Sequence, residues 1–341
     1  MNDTFIEFSR FLRENSKEIR DGLIMESGSP LKDIYNQVFE EHFLPYSRAP
    51  KPVNSVSSTD SSEFVRELYN GKKLILIRGY TLFGRNIHTS FIPQVKEVSR
   101  DHVQAYLTML MEHSEHLSIL KMLRDESPSY ILVDGSFSGR VARKSKMLNA
   151  EGFREFHDSY FQSLRDLLSL CDDAGIPLIY ISKSSESRKF SRFLLSELKK
   201  TGYSIDNLSI PDSTDHFLVR SLAKEKGYTE PLMGTYDLGT NGESVNVATT
   251  HVVPDIQDLP MKVEVIDPRL SDGDGIRDDI IDLVFWGYGS IKNHNIWLAQ
   301  VDKMVKFRSA EMENVYMKAF ESEIGVEFYE TRGERRARLR V

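Results

Sequence analysis

The stretch YILVDGSFSGR, residues 130–140, decides how the rest of the chain is read. Tyr130, Ile131, Leu132 and Val133 make a short apolar run suited to a strand buried on both faces. The run meets an acid, Asp134, and Gly135 and Ser136 then turn the chain into polar sequence. Downstream, residues 153–173 carry Phe153, Phe156, Tyr160, Leu164, Leu167 and Cys171 at helical spacing. Gly175 ends that helix, and IPLIYIS (176–182) is a second apolar strand. Strand, helix and strand at this spacing predict two parallel strands of an α/β domain with a right-handed crossover. In open sheets of that kind, ligands gather beyond the carboxyl ends of the strands. Asp134 ends the first strand, and Ser182 and Lys183 end the second, so an acid and a lysine share one edge. That pairing suits a metal ion beside a phosphate. An Asp before Gly-Ser is equally the composition of a plain turn.

Working outward, residues 3–21 read as an amphipathic helix with Phe5, Phe8, Leu12 and Ile19 near one face, and helical tendency continues to residue 43. The Pro- and Ser-rich stretch PYSRAPKPVNSVSSTDSS, from Pro45, reads as a linker or long loop. It divides an N-terminal helical arm, 1–50, from a main domain, 51–341. Within the main domain, 72–84 is a strand and turn opening a hairpin, and 101–123 is a long helix. A further helix covers 191–200, VNVATTHVV and MKVEVID are strands, and 296–307 is a helix. No internal repeat and no low-complexity tract interrupts this pattern.

A divalent ion needs more than one carboxylate. In the helix 101–123, Glu115 falls in the row Leu107–Met111–Glu115–Ile119, an acid set in an apolar stripe, whereas Glu112 falls in the polar row Thr108–Glu112–His116. An acid facing a core is costly unless paired or bound to a cation, which makes Glu115 the better ligand candidate. In NHNIWLAQVD, His294 stands just ahead of a helix and Asp302 on its edge. An imidazole and a carboxylate so placed can complete a metal shell or position a water. A helix-capping histidine and a surface aspartate have the same pattern.

The 341 residues suffice for one large domain or two smaller ones; 40% are apolar and 28% charged. No apolar run approaches the roughly 20 residues that cross a bilayer. The N-terminal MNDTFIEFSRFLREN lacks the apolar core of a secretory signal, and the single cysteine, Cys171, fits a reducing, cytoplasmic setting. Net charge is −7, so a nucleic-acid partner would need local basic patches. Two exist: KSSESRKFSRF, with Lys183 and Arg188, and the C-terminal TRGERRARLRV. No G-x-x-x-x-G-K-[ST] loop is present, and the acidic SDGDGIRDD does not fit an EF-hand.

In order and spacing these segments resemble the NurA family of archaeal nucleases, whose members act with the hexameric HerA translocase on DNA ends. The resemblance spans residues 52–341 and rests on ILVDGSF followed by IPLIYISKSSESRKF, then STDHFLVRSLAKEKGYTEPL, MKVEVID, the helix IWLAQVDKMVKF and the basic ending. It implies a fold similar to ribonuclease H and the Piwi domain: a mixed sheet flanked by helices, with acids gathered at strand ends. It also implies metal-binding acids at Asp134, at Glu115 and at Asp60 in SSTDSSEF, where Ser61 replaces the glycine of the family's first Asp-Gly motif. The family's late Tyr and His fall on His294 and Asp302, and its strand-end lysine on Lys183.

The implied activity is a Mn²⁺- or Mg²⁺-dependent DNA nuclease, a 5′-to-3′ exonuclease and single-strand endonuclease acting in end resection. Asp60, Glu115 and Asp134 would hold the metal, His294 and Asp302 would complete the shell, and Lys183 and Arg188 would meet the DNA. The implied partners are a HerA-like hexameric ATPase and a second copy of the chain, with the N-terminal arm as the docking or dimer helix. The weak first motif and the replaced Tyr and His motivate the rival reading, a NurA-fold adaptor that binds DNA or the translocase without catalysis.

Overall fold

Among the residues described by this computed structural model (3–21, 30–200, 202, 213–239, 243–270, 275–325 and 328), ten strands form one mixed sheet. In chain order they are β1 (Phe43–Pro45), β2 (Val56–Glu67), β3 (Lys73–Phe83), β4 (Asn86–Lys96), β5 (Tyr130–Asp134), β6 (Leu178–Ser182), β7 (Gly227–Thr229), β8 (Leu232–Asp237), β9 (Ser244–Val253) and β10 (Met261–Ile266). Across the sheet they run β1-β7-β9-β10-β6-β5-β2-β3-β4, with β8 paired to β9. The meander β2-β3-β4 is antiparallel, and β2, β5 and β6 are parallel neighbours. The strand–helix–strand unit read from YILVD and IPLIYIS is therefore present, and the sheet is the mixed, helix-flanked one expected of an RNase H-like fold.

The helices are α1 (Asp3–Glu14), α2 (Ser16–Asp21), α3 (Pro30–Phe39), α4 (Val103–Asp125), α5 (Phe137–Val141), α6 (Phe153–Ala174), α7 (Lys189–Lys200), α8 (Asp215–Leu222), α9 (Asp278–Gly287) and α10 (Ile296–Val305), followed by a helical stretch over 309–324 with a π turn at Met312–Met317. Burial on both faces explains the apolar composition of β5 and β6. On one face, Ile131, Val133 and Tyr180 pack under α4 and α6. On the other, Leu132, Ile179 and Ile181 pack under α9 and α10. The stripe of α6 predicted from spacing is its buried face, including Phe153, Tyr160, Leu164, Leu167 and Cys171. Gly175 closes α6 at φ 64°, in the left-handed region that favours glycine. No described helix is long and apolar enough to cross a membrane.

Two expectations change. The stretch read as a linker from Pro45 ends at residue 55, and SVSSTDSS enters β2. Its hydroxyls are buried because they bond one another: Thr59 Oγ1 is 2.8 Å from Thr81 Oγ1 and 3.3 Å from Ser118 Oγ. Serines that look like loop are here a polar seam between the sheet and α4. The expected arm, 1–50, also divides. Helix α1 buries no residue, and Phe5, Phe8, Phe11 and Leu12 are exposed. Ile34, Tyr35, Val38 and Phe39 of α3 and Phe43 of β1 instead pack with α7 and α8, and β1 pairs with β7.

Candidate metal centre

Why Asp60 and Asp134 face the same space follows from register. Thr59 pairs with Val133, so the next residues, Asp60 and Asp134, are neighbours. Strand β5 stops there, while β2 continues to Glu67 against β3 alone. The loss of a neighbouring strand opens the sheet beside Asp60. Side chains alternate along β2. Thr59 and Ser61 bond to Ser118 and Glu115 on α4. Ser58 Oγ, on the opposite face, donates to the Trp297 carbonyl at 3.1 Å, so Asp60 shares the α10 face.

Glu115 arrives from α4, which lies unusually close to β3. A Cβ built on Gly79 would stand 2.5 Å from Ser114 Oγ and 2.7 Å from its carbonyl oxygen. Only glycine permits that approach. Because Gly79 is paired with Ser61, it seats Glu115 beside Ser61 and Asp60. Glu115 is 4% exposed, accepts from Ser61 Oγ at 2.5 Å, and is ion-paired with the buried Arg140. Burial pushes its carboxyl pKa up, and Arg140 and then Ser61 pull it back. Glu112, one residue triplet away, is taken up by Arg143 at 2.6 Å and Tyr160 Oη at 2.7 Å.

Helix α10 brings the remaining groups. Asn295 is its N-cap, accepting from the backbone N–H groups of Trp297 and Leu298 at 3.1 Å, so His294 is not needed as the cap. The His294 Nε2 atom is buried without a hydrogen-bond partner. Burial, and then the Lys183 charge, push its pKa down to about 4 against the pull of Asp134, Asp258 and Asp302. His294 is thus a neutral imidazole at neutral pH. Asp302 bonds Lys306 at 2.6 Å, and Lys183 Nζ donates to Asp134 Oδ2 at 3.0 Å. Lys183 is half-exposed, and Arg188, half-buried, stands at the start of α7 in the same basic loop. The second basic patch, residues 331–341, lies outside the described residues. So does 271–274 of the acidic loop, whose Asp278 and Asp279 are paired with Arg48 and Arg277.

Asp60 registers the crowding. Burial first, and then Glu115, Asp134 and Asp302, raise its carboxyl pKa to about 8 from the ordinary 3.8. Among the described residues, no three His, Cys, Asp or Glu side chains are closed about a common point at metal-holding distance. Instead Glu115, Asp134 and Asp302 each rest on an internal base: Arg140, Lys183 and Lys306. In donor type the set fits a hard divalent cation: carboxylate oxygens, an imidazole nitrogen lacking a partner, and a repulsion that a cation relieves. Sequence reasoning missed Ser61, Gly79 and Arg140, because a serine, a glycine and an arginine carry no mark of burial.

The family model described as the NurA domain matches residues 54–258. No curated protein matches the sequence. The crystal structure of the NurA nuclease from Sulfolobus solfataricus is similar at a TM-score of 0.66 and 16% identity, covering 97% of this chain and 100% of that one. A crystal structure of NurA bound to dAMP and manganese is similar at 0.55 and 12% identity, covering 97% and 98%. One of NurA with manganese is similar at 0.53 and 11%, covering 94% and 98%.

Proposed function

Because this chain belongs to the NurA family, we propose that it is a divalent-metal-dependent DNA nuclease with Asp60, Glu115 and Asp134 as metal ligands. The observation that carries this reading is geometric: strand register sets Asp60 beside Asp134 where β5 ends, and Glu115 of α4 bonds the adjacent Ser61, so burial and these neighbouring acids push the Asp60 carboxyl up. Such a cluster is unfavourable by itself and becomes favourable around a cation. When bound, the cation supplies positive charge to the phosphoryl oxygens and acidifies a water. The manganese in a similar NurA structure makes Mn²⁺ the first ion to test, with Mg²⁺ second.

The chain's own residues do the rest. Lys183, no longer needed by Asp134, offsets charge that builds on the phosphoryl oxygens. His294, neutral and with Nε2 unpartnered, accepts a proton from water or orients it. Asp302 sits on the same side as Asp60 and His294 and completes the set. Arg188 and the basic loop hold the strand, so binding weakens as salt rises. From the family reading come 5′-to-3′ exonuclease and single-strand endonuclease action in end resection, a HerA-like hexameric ATPase as partner, and a homodimer in the cytoplasm. Helix α1, with its exposed Phe5, Phe8 and Phe11, is the docking or dimer element of that assembly.

The test is cleavage of labelled single-stranded DNA with Mn²⁺ by the native chain and by Asp134→Ala, with and without the ATPase. Cleavage by the native chain and none by the variant is expected. One observation favours the second reading, a non-catalytic adaptor: Glu115, Asp134 and Asp302 are each satisfied by an internal base without any metal. Equal cleavage by both proteins, or none by either with metal and the ATPase present, would count against the nuclease reading.

A further inference from the structure

Glu115 is held by both of its oxygens. Ser61 Oγ donates to Oε1 at 2.5 Å, and Arg140 Nη2 donates to Oε2. Each of these two donors also reaches another proposed ligand. The Ser61 backbone N–H donates to Asp60 Oδ1 at 2.7 Å, so one residue is bonded to both acids. Arg140 Nη2 lies 3.5 Å from the main-chain carbonyl oxygen of Asp134. The contacts therefore run from Asp60 through Ser61, Glu115 and Arg140 to the main chain at Asp134, whose carboxylate is held by Lys183.

Arg140 is itself fixed. It is 1% exposed, its guanidinium sits 5.1 Å from the Tyr180 ring centroid, and Nη1 donates to His116 Nε2 at 2.9 Å and to the Glu112 carbonyl at 3.3 Å. With Nε2 accepting, His116 is neutral and its Nδ1–H donates to Ser163 Oγ at 3.1 Å. Ser163 Oγ in turn donates to the Tyr160 carbonyl of α6 at 2.8 Å. The network is thus anchored in the helix layer behind the sheet, away from solvent.

We infer that Ser61 and Arg140 are positioning residues that fix the Asp60 and Glu115 carboxyl groups relative to each other, and Glu115 relative to the main chain at Asp134, before a cation arrives. This rests on the reading of those three acids as the ligand set. Left to themselves, like-charged carboxylates turn apart toward solvent, and gathering them again on binding carries an entropic cost. A donor shared between two of them removes that cost in advance. Partners of this kind behind metal-bound carboxylates set metal affinity.

The experiment is Mn²⁺ titration of the metal-free full-length chain by calorimetry, with the native protein, Ser61→Ala, Ser61→Thr, Arg140→Lys and Glu115→Gln. Ser61→Ala is expected to bind Mn²⁺ about tenfold more weakly. Ser61→Thr, which keeps the hydroxyl, returns binding close to native, and a merely structural role would not produce that rescue. Arg140→Lys, which keeps the charge but not the fork, weakens binding by tenfold or more. If Arg140→Lys does not fold, the Ser61 pair decides alone. Native binding that Ser61→Ala leaves unchanged or tightens overturns the inference and leaves the proposed function standing. No Mn²⁺ binding by the native chain, or binding insensitive to Glu115→Gln, overturns both.

Discussion

Replacing Asp60 by asparagine is expected to stabilise the metal-free protein while abolishing cleavage. The change removes a charge and keeps the size. In the folded chain the Asp60 carboxyl is pushed up to about 8, whereas its ordinary value is 3.8. Between those values the folded state keeps a proton that the unfolded chain has released. Native stability therefore falls as pH rises through that window, and the loss is complete above the folded value. Each pH unit inside the window is worth about 1.4 kcal/mol, so from pH 5 to pH 7 the native chain loses on the order of 3 kcal/mol through this group. The asparagine variant loses none of it. Urea unfolding of both proteins in a chelator, at pH 5, 6 and 7, reads the difference directly. The variant's advantage should widen by that amount over the series, and Mn²⁺ should narrow it by stabilising the native chain alone. A stability difference that stays constant with pH would refute the reasoning, since Asp60 would then be ionised in the fold at no cost.

Three other outcomes are expected. Gly79→Ala places a methyl group against Ser114, lifts α4 with Glu115, and should cost about 1–3 kcal/mol and weaken cleavage together, as urea unfolding and the DNA assay would show. Lys183→Ala frees Asp134 from its ion pair, so Mn²⁺ should bind at least as tightly while cleavage at saturating metal falls about a hundredfold, a separation that titration and single-turnover kinetics resolve. Arg78 bonds the Val305 and Lys306 carbonyls and Glu311, and holds the end of α10 and the helix after it onto β3; Arg78→Met should cost about 3–5 kcal/mol in chemical unfolding, because the partners are left buried and unpaired.

Apolar runs and helical stripes made β5, β6, α4 and α6 legible, since those elements are buried on one or both faces and their periods survive in the residues. Strand β2 was not legible, because Ser57, Ser58 and Thr59 are buried by hydroxyl bonding to neighbours distant in sequence. Strand β4 escaped notice for a related reason: it is an edge strand with Ile87, Phe91 and Val95 exposed. At the candidate site, Asp134 and Glu115 stood out from their positions in apolar pattern, whereas Asp60, set among serines, was reached only through the family resemblance. Arg140 closes the very stretch that opened the reading, yet a buried arginine and a solvated one look alike in sequence until the partner on α4 is known.

Helix α10 docks late in the chain on strands made early. Asp60, Glu115 and Asp134 all emerge from the ribosome well before His294 and Asp302, which ride on the segment that buries Leu298, Val301 and Val305 against the sheet. During synthesis the acidic groups are therefore present in an incomplete setting until α10 has been made. The metal centre that we propose is by this arrangement completed only when the closing helix has seated.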